Sequence, residues 1–169
     1  GKSVSNLKNF MEEQIVTQNY LVIAINHIPF IECDYYIFTN QIRYDEFSEF
    51  IDSHKLIVTN NIEIKSKPFV ILDFSSMVFE QNDELITNAT MIVINLLVHK
   101  GIKIVDIAGL DGYKLGADNY SYDENQIAHD SKSQEEKNLI ITNSLNYFKD
   151  KIDVQIITPN IFNNIREEK

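Results

Sequence analysis

Six short apolar runs recur along the chain, separated by stretches with helical periodicity, and this alternation constrains the fold more than any other feature. The runs are Tyr20–Ile25, Tyr35–Phe38, Lys55–Val58, Phe69–Leu72, Lys103–Ala108 and Val154–Ile157. Successive side chains of a strand point to opposite faces, so runs apolar throughout need cover on both sides. Such strands alternating with helices predict an α/β fold: a three-layer Rossmann-like domain with a mainly parallel sheet. The 169 residues, 44% of them hydrophobic, suffice for a single domain with a substantial core.

The intervening segments carry helix signals. Leu7, Phe10, Met11 and Ile15 share the i, i+3, i+4, i+8 spacing of one helix face. After the second strand, a polar helix is expected with Phe47, Phe50 and Ile51 facing inward. Residues 88–100 are apolar nearly all round, which marks a buried helix, with Gly101 as its C-cap. Ser133 with Glu136 forms a capping-box signature that opens a helix through Phe148, its inner face holding Ile141, Leu145 and Phe148. Pro159 is expected to open a short terminal helix. Gly1-Lys2-Ser3-Val4 leads straight into the first helical pattern, and a Gly-rich turn entering a helix normally follows a strand. The expectation is a fragment of a longer protein, with at least one strand upstream.

Charge and composition exclude several classes. A net charge of −10 argues against nucleic acid or an anionic membrane as partner, because phosphate backbones need clustered Lys and Arg. A single nucleotide is not excluded, since backbone N–H groups and amide side chains can hold one. Cys33 stands alone beside Glu32 and Asp34, so no disulfide framework, no Cys-based metal site and no activated thiol is expected. No HExxH or similar spacing exists, so no metal site and no cofactor are expected. No apolar run approaches the ~18 residues of a membrane span and no signal peptide is visible, which makes the cytoplasm the expected location. Asn88-Ala89-Thr90 and Asn119-Tyr120-Ser121 match the glycosylation sequon by chance on this reading.

The stretch that carries most chemistry is Lys103–His129. A buried strand stops at Gly109-Leu110-Asp111-Gly112 and releases the chain into a polar loop containing Tyr113, Tyr120, Tyr122 and His129. Glycines at a strand's carboxyl end allow backbone to approach a ligand closely, and that edge is where open α/β sheets bind ligands. Phenols and an imidazole can donate and accept protons near neutral pH. Three other strands end in one amide or acid, Asn26, Asn40 and Asp73, which with Asp111 would line one sheet edge. The alternative, that Asn and Asp merely start turns after strands, stays open. Gly1-Lys2-Ser3 could be the tail of a phosphate-binding turn, or Ser3 an ordinary helix cap. His27 could touch a ligand at the edge or pack, whereas His54 and His99 read as surface or structural residues.

Taken in order, these segments resemble the bacterial lipooligosaccharide sialyltransferases that use CMP-sialic acid. They also resemble the relatives of those enzymes among motility-associated glycosyltransferase-like and pterin-diphosphokinase-like proteins. Gly1-Lys2-Ser3-Val4 resembles the end of the family's Gly-Pro-Ser-Leu loop, Asn26 the Asn of its Cys-Asn-Gln segment, and Asn40 its second nucleotide-contacting Asn. Leu85-Ile86-Thr87-Asn88 resembles its Arg-Ile-Thr-Ser-Gly, with Leu85 replacing the arginine and Ala89 the glycine. Ala108-Gly109-Leu110-Asp111-Gly112-Tyr113 is similar to its Ser-Gly-Ile-Asp-Phe-Tyr, and Ile157-Thr158-Pro159-Asn160 to its Cys-Pro-Asn. The resemblance implies nucleotide contacts at Ser3, Asn26, Asn40, Thr87, Gly109 and Asp111. It also implies leaving-group donors at Tyr113 and Tyr120, and a general base at His129, with no metal.

Two functions from different classes follow. The first is a nucleotide-sugar-binding domain, a transferase in surface-glycan synthesis if active, with a nucleotide or nucleotide-sugar as partner. The second is a non-catalytic accessory or oligomerisation domain of a larger enzyme. The abrupt start suggests an upstream domain of the same chain, for which an aldolase-type barrel of the hydroxymethylglutaryl-CoA lyase-like group is the expected arrangement; a homo-oligomer fits either reading.

Overall fold

The computed structural model describes Ser3 and residues 20–113 and 132–162. The chain divides into two compact units, one spanning Lys8–Val93 and the other combining Gly1–Leu7 with Ile94–Lys169. The helix expected around Leu7–Ile15 lies outside the described residues.

In the first unit, β1 (Ile23–Ile25), β2 (Tyr35–Phe38), β3 (Leu56–Thr59) and β4 (Val70–Leu72) form a four-stranded sheet in that order. All its pairings are parallel, with Ala24 opposite Tyr36, Tyr36 opposite Leu56 and Ile57 opposite Val70. The α/β fold with a mainly parallel sheet is therefore present. β1 is shorter than its apolar run because Asp34 intervenes. Its carboxylate accepts the Val22 N–H at 2.7 Å, and its own N–H bonds the Val22 carbonyl at 2.9 Å.

Asn40 opens α1 (Gln41–Phe47), its side chain accepting the Arg43 N–H at 3.2 Å. The helix places Tyr44 in a core with Phe38, Leu56, Val58 and Ile62, against which Tyr36, Phe47 and Ile51 pack. Burying a phenol requires a partner for its hydroxyl. Tyr44 accepts the Lys65 N–H at 2.9 Å. Phe50, expected inward, is 71% exposed. The 3-10 turn at Ser48–Phe50 breaks the helical period on which that expectation rested.

Asp73 caps the single-turn α2 (Phe74–Met77). An antiparallel hairpin follows, β5 (Phe79–Gln81) and β6 (Glu84–Ile86), which the sequence reading did not anticipate. Its two-residue turn is Asn82-Asp83 with φ of 52° and 60°, the left-handed pair of a type I′ turn.

α3 (Ala89–His99) begins in the first unit and ends in the second. The Asn88 side chain accepts the N–H groups of Thr90 and Met91 at 3.1 and 3.3 Å. Met91–Asn95 are buried, as the all-round apolar pattern implies. At its end the Gly101 N–H bonds the Val98 carbonyl (2.9 Å) and the Ile102 N–H bonds the Leu97 carbonyl (3.0 Å), a Schellman cap with Gly101 at φ 76°.

In the second unit, β7 (Ile104–Ile107) and β8 (Asp153–Ile156) pair in parallel, with Val105 opposite Val154 and Ile107 opposite Ile156. The capping box holds: Ser133 Oγ accepts the Glu136 N–H at 3.1 Å while Glu136 Oε2 accepts the Ser133 N–H at 2.6 Å. It opens α4 (Gln134–Phe148), which buries Ile141, Ser144, Leu145 and Phe148. No helix begins after Pro159 within the described residues. Instead Asn160 donates to the Thr158 carbonyl at 3.0 Å and accepts the Phe162 N–H at 2.8 Å, a side-chain-closed turn. Among the described residues no helix is long and apolar enough to cross a membrane.

Gly101 yields a direct test. A Cβ there would meet nothing within 4 Å, so any penalty is conformational. Gly101→Ala should lower stability by about 1 kcal/mol, and Gly101→Asn by less, because Asn tolerates left-handed backbone. Urea midpoints of the two variants check the order.

Candidate functional site

The carboxyl edge of the β7–β8 pair gathers the largest number of the singled-out residues. β7 ends into Gly109, Asp111, Gly112 and Tyr113, and β8 ends into Thr158 and Asn160. Because the strands are parallel, both exits lie at one edge. Gly109 has φ 83° and donates its N–H to the Thr158 hydroxyl at 3.0 Å, tying one exit to the other. A second tie joins the Ile161 N–H to the Asp111 carbonyl at 3.1 Å. The Asp111 carboxylate accepts the Ser3 backbone N–H at 2.8 Å with one oxygen and the Ser3 hydroxyl with the other. Of the implied nucleotide contacts, Ser3 is thus hydrogen-bonded to Asp111, while Gly109, two residues before Asp111 in the chain, bonds Thr158 instead, and Tyr113 lies two residues after Asp111.

Gly112 is held by shape. It has φ 86°, and a Cβ would collide with the Ile161 side chain and crowd Phe162. Beyond it, Tyr113 is fixed by α4: its N–H bonds Asn138 Oδ1 and its carbonyl accepts from Asn138 Nδ2, both at 2.8 Å. Lys137 sets its ammonium 5.3 Å from the centre of the Tyr113 ring. This edge brings a phenol and an ammonium, groups able to donate to an anion, beside two left-handed glycines and the Asp111 carboxylate, whose charge opposes one.

In the first unit, the carboxyl ends of β1–β4 carry a second polar row. Asn26, at φ 53°, directs its amide across to β2, accepting the Thr39 N–H at 2.8 Å and donating to the Thr39 hydroxyl at 3.0 Å. Asn40 caps α1. Asn60 donates to Asp73 at 3.0 Å and accepts the Phe74 N–H at 2.9 Å. Hydrogen bonds from Ser75 and Asn60 hold the Asp73 carboxyl below the usual carboxylate range. Asn26, Asn40 and Asp73 therefore line one carboxyl edge, whereas Asp111, expected on that same edge, follows a strand of a separate two-stranded sheet in the other unit; each of the three also performs the turn or cap work of the alternative reading.

Thr87 is exposed in the segment between β6 and α3. Tyr120 and His129 lie outside the described residues. His54 is exposed beside Asp52 at 3.0 Å, and His99 is exposed at the end of α3. Cys33 is buried, and that burial pushes its thiol up to about 11, which leaves it inert. Asn138 and Asn60 were missed. Asn60 carried the same signal as Asn26 and Asn40, an amide after an apolar run, but the run was ended at Val58, and β3 continues through Thr59. Asn138 carried none, being one polar residue on a polar helix turn.

Comparison of the chain with protein-family models, curated proteins and solved structures finds no match.

His27 settles as a packed residue. Its ring meets Phe47 edge to face at 5.0 Å. Burial first, then the Arg43 guanidinium, lowers its pKa from 6.5 to about 4, against the opposing pull of Glu46. Above pH 6.5 the imidazole is neutral in folded and unfolded chains alike. Between pH 6.5 and 4 only the unfolded chain takes up the proton, so stability falls as pH falls through that window. Partial solvent access limits the loss to about 1–2 kcal/mol. Urea unfolding at pH 7.0 and 4.5 should show that loss in the parent, and a smaller one in His27→Gln.

Proposed function

We propose that this chain is a nucleotide-sugar-binding domain of the sialyltransferase-like type, in which the carboxyl edge of β7–β8 receives the nucleotide's phosphate. The observation that carries the reading is the pairing of Ser3 with Asp111 at the strand exit that also holds Gly109 and Tyr113. These are the residues that the family resemblance implies for nucleotide and leaving-group contacts. Ser3 and Asp111 are 108 residues apart in sequence, a separation that a mere turn would not require. In the active form of this proposal Tyr113 and Tyr120 bond the departing phosphate and His129 takes the acceptor's proton, in a cytoplasmic enzyme of surface-glycan synthesis.

Calorimetry with CMP, CDP and UDP tests the binding step. Weak, saturable binding that favours CMP is expected. Asp111→Ala should weaken it about tenfold or more, because charge-assisted bonds worth roughly 1.5–3 kcal/mol hold Ser3 in place. With a sialyl donor and acceptor, His129→Ala should lower turnover by ~10²–10⁴ while leaving nucleotide affinity nearly unchanged. Full turnover by that variant would refute the assigned base.

One observation favours the second reading, a non-catalytic accessory or oligomerisation domain of a larger aldolase-type enzyme. The amides of Asn26 and Asn40, implied as nucleotide contacts, are engaged by Thr39 and by the Arg43 backbone, and the Ser3 donors and the Gly109 N–H are likewise engaged, by Asp111 and by Thr158. Absence of both nucleotide binding and turnover would select it.

A further inference from the structure

The outer strand of the first unit's sheet carries chemistry that its carboxyl edge does not use. β4 ends the sheet on one side, and among the described residues no strand pairs with its far edge. Backbone groups alternate in direction along a strand. The Leu72 carbonyl accepts the Asn60 N–H at 2.8 Å, so Leu72 faces β3, and the N–H and carbonyl of Ile71 face outward. Unpaired groups on an edge are a template for one more strand. Lysine and proline beside an edge deter indiscriminate pairing, and Lys67-Pro68 precedes β4. Pro68 is buried and lies ahead of the strand, however, so it blocks neither group of Ile71.

Beside this edge lies an open groove of about 600 Å³, whose lining includes Ile64, Lys65, Lys67, Phe69 and Ile71. Phe69 and Ile71 are each 54% exposed, and Ile64 is 40% exposed. Its walls are fixed by bonds of their own. Gln41 clamps both backbone groups of Glu63, Tyr44 accepts the Lys65 N–H at 2.9 Å, and Phe69 stacks on Tyr35 with ring centres 5.7 Å apart. Lys65 meets Asp45 at 2.6 Å. Lys67 is exposed and forms no ion pair among the described residues, and no carboxylate lines the groove. In a chain of net charge −10, this apolar groove is therefore marked by positive charge alone.

We propose that the β4 edge docks an extended acidic peptide of a partner protein, with apolar side chains at every second position. The peptide backbone adds a strand to the sheet through the Ile71 N–H and carbonyl, which supplies affinity without regard to sequence. Its apolar side chains enter the groove, and a carboxylate meets Lys67, which selects the sign of the partner's charge. Two chains of net charge −10 repel each other, which argues against a second copy as the occupant. The site is independent of the nucleotide reading, because every residue in it belongs to the first unit.

Fluorescence anisotropy and amide chemical shifts test the site, with a labelled peptide alternating valine and glutamate as the probe. Saturable binding is expected, with shifts centred on residues 64–72. The same peptide with lysine in place of glutamate should bind about tenfold more weakly or worse. Ile71→Pro removes the outward N–H and leaves the β3 ladder intact, as proline on an edge strand can, and should weaken the glutamate peptide about tenfold or more. Lys67→Glu should abolish or invert the preference between the two peptides. No saturable binding, shifts centred elsewhere, equal binding of both peptides by the parent, or an unaltered preference in Lys67→Glu overturns the proposal. If Ile71→Pro does not fold, the exposed substitution Lys67→Glu decides alone. Sedimentation of the parent without peptide covers the remaining occupant: self-association that Ile71→Pro abolishes would assign the edge to a second copy and overturn the peptide. Decanoate bound at the same residues as tightly as the peptide would reassign the groove to a small apolar acid and overturn it likewise.

Discussion

Parallel pairing brings every strand exit of a sheet to one edge, and there the backbone loses its ladder partners. A buried or half-buried N–H left without a partner is destabilising by about 1–3 kcal/mol, so the residue that follows each strand has to supply one. The polar residues at the carboxyl ends of β1–β4 and β7–β8 answer that demand. Asn26 meets the Thr39 N–H, Asn60 meets the Phe74 N–H, and Thr158 meets the Gly109 N–H. Buried Thr59 adds a bond from its hydroxyl to the Phe38 carbonyl at 3.2 Å. The sheet's hydrogen-bond requirement and the polar character of a binding edge therefore have one physical origin.

That shared origin explains why structural and functional readings are hard to separate residue by residue, and where they do separate. An amide that completes a turn within its own segment, like Asn40, satisfies a local requirement. A contact that joins distant segments does more than end a strand. The reciprocal amide clamp between Asn138 and Tyr113 has a counterpart in the first unit, where Gln41 accepts the Glu63 N–H at 2.8 Å and donates to its carbonyl at 3.3 Å. The clamp is therefore a general device for pinning a loop. What distinguishes Tyr113 is its company: the glycines of the β7 exit, the Ser3 hook and a cation over its ring.

Most of the strand framework was readable from short, unmistakable apolar runs such as Tyr35–Phe38, although Ile71 of β4 and Ile104 of β7 are exposed where cover on both faces was expected. The capping box at Ser133 and the glycine stop at Gly101 were equally plain, since each satisfies specific orphan groups of a helix end. The β5–β6 hairpin was hidden. Its strands are three residues long, carry Glu80, Gln81 and Glu84, and turn on Asn82-Asp83 without glycine. Phe50 was misplaced because periodicity assumes an unbroken helix. The site was half legible. Gly109, Asp111 and Tyr113 stood out by spacing, but Asn138 acquires meaning only from a backbone 25 residues away, which no local pattern encodes.

The hook between Ser3 and Asp111 also orders events in time. The unit spanning Lys8–Val93 is one continuous stretch, so all of its contacts can form as soon as that stretch has left the ribosome. The other unit is split between Gly1–Leu7 and Ile94–Lys169. Ser3 must wait for a partner synthesised 108 residues later, and Gly109 for Thr158, 49 residues further still. At roughly 5–20 residues per second, those delays amount to several seconds each. The edge that gathers Ser3, Gly109, Asp111 and Thr158 is thus assembled only once Thr158 has been made, after the first unit has had the opportunity to fold.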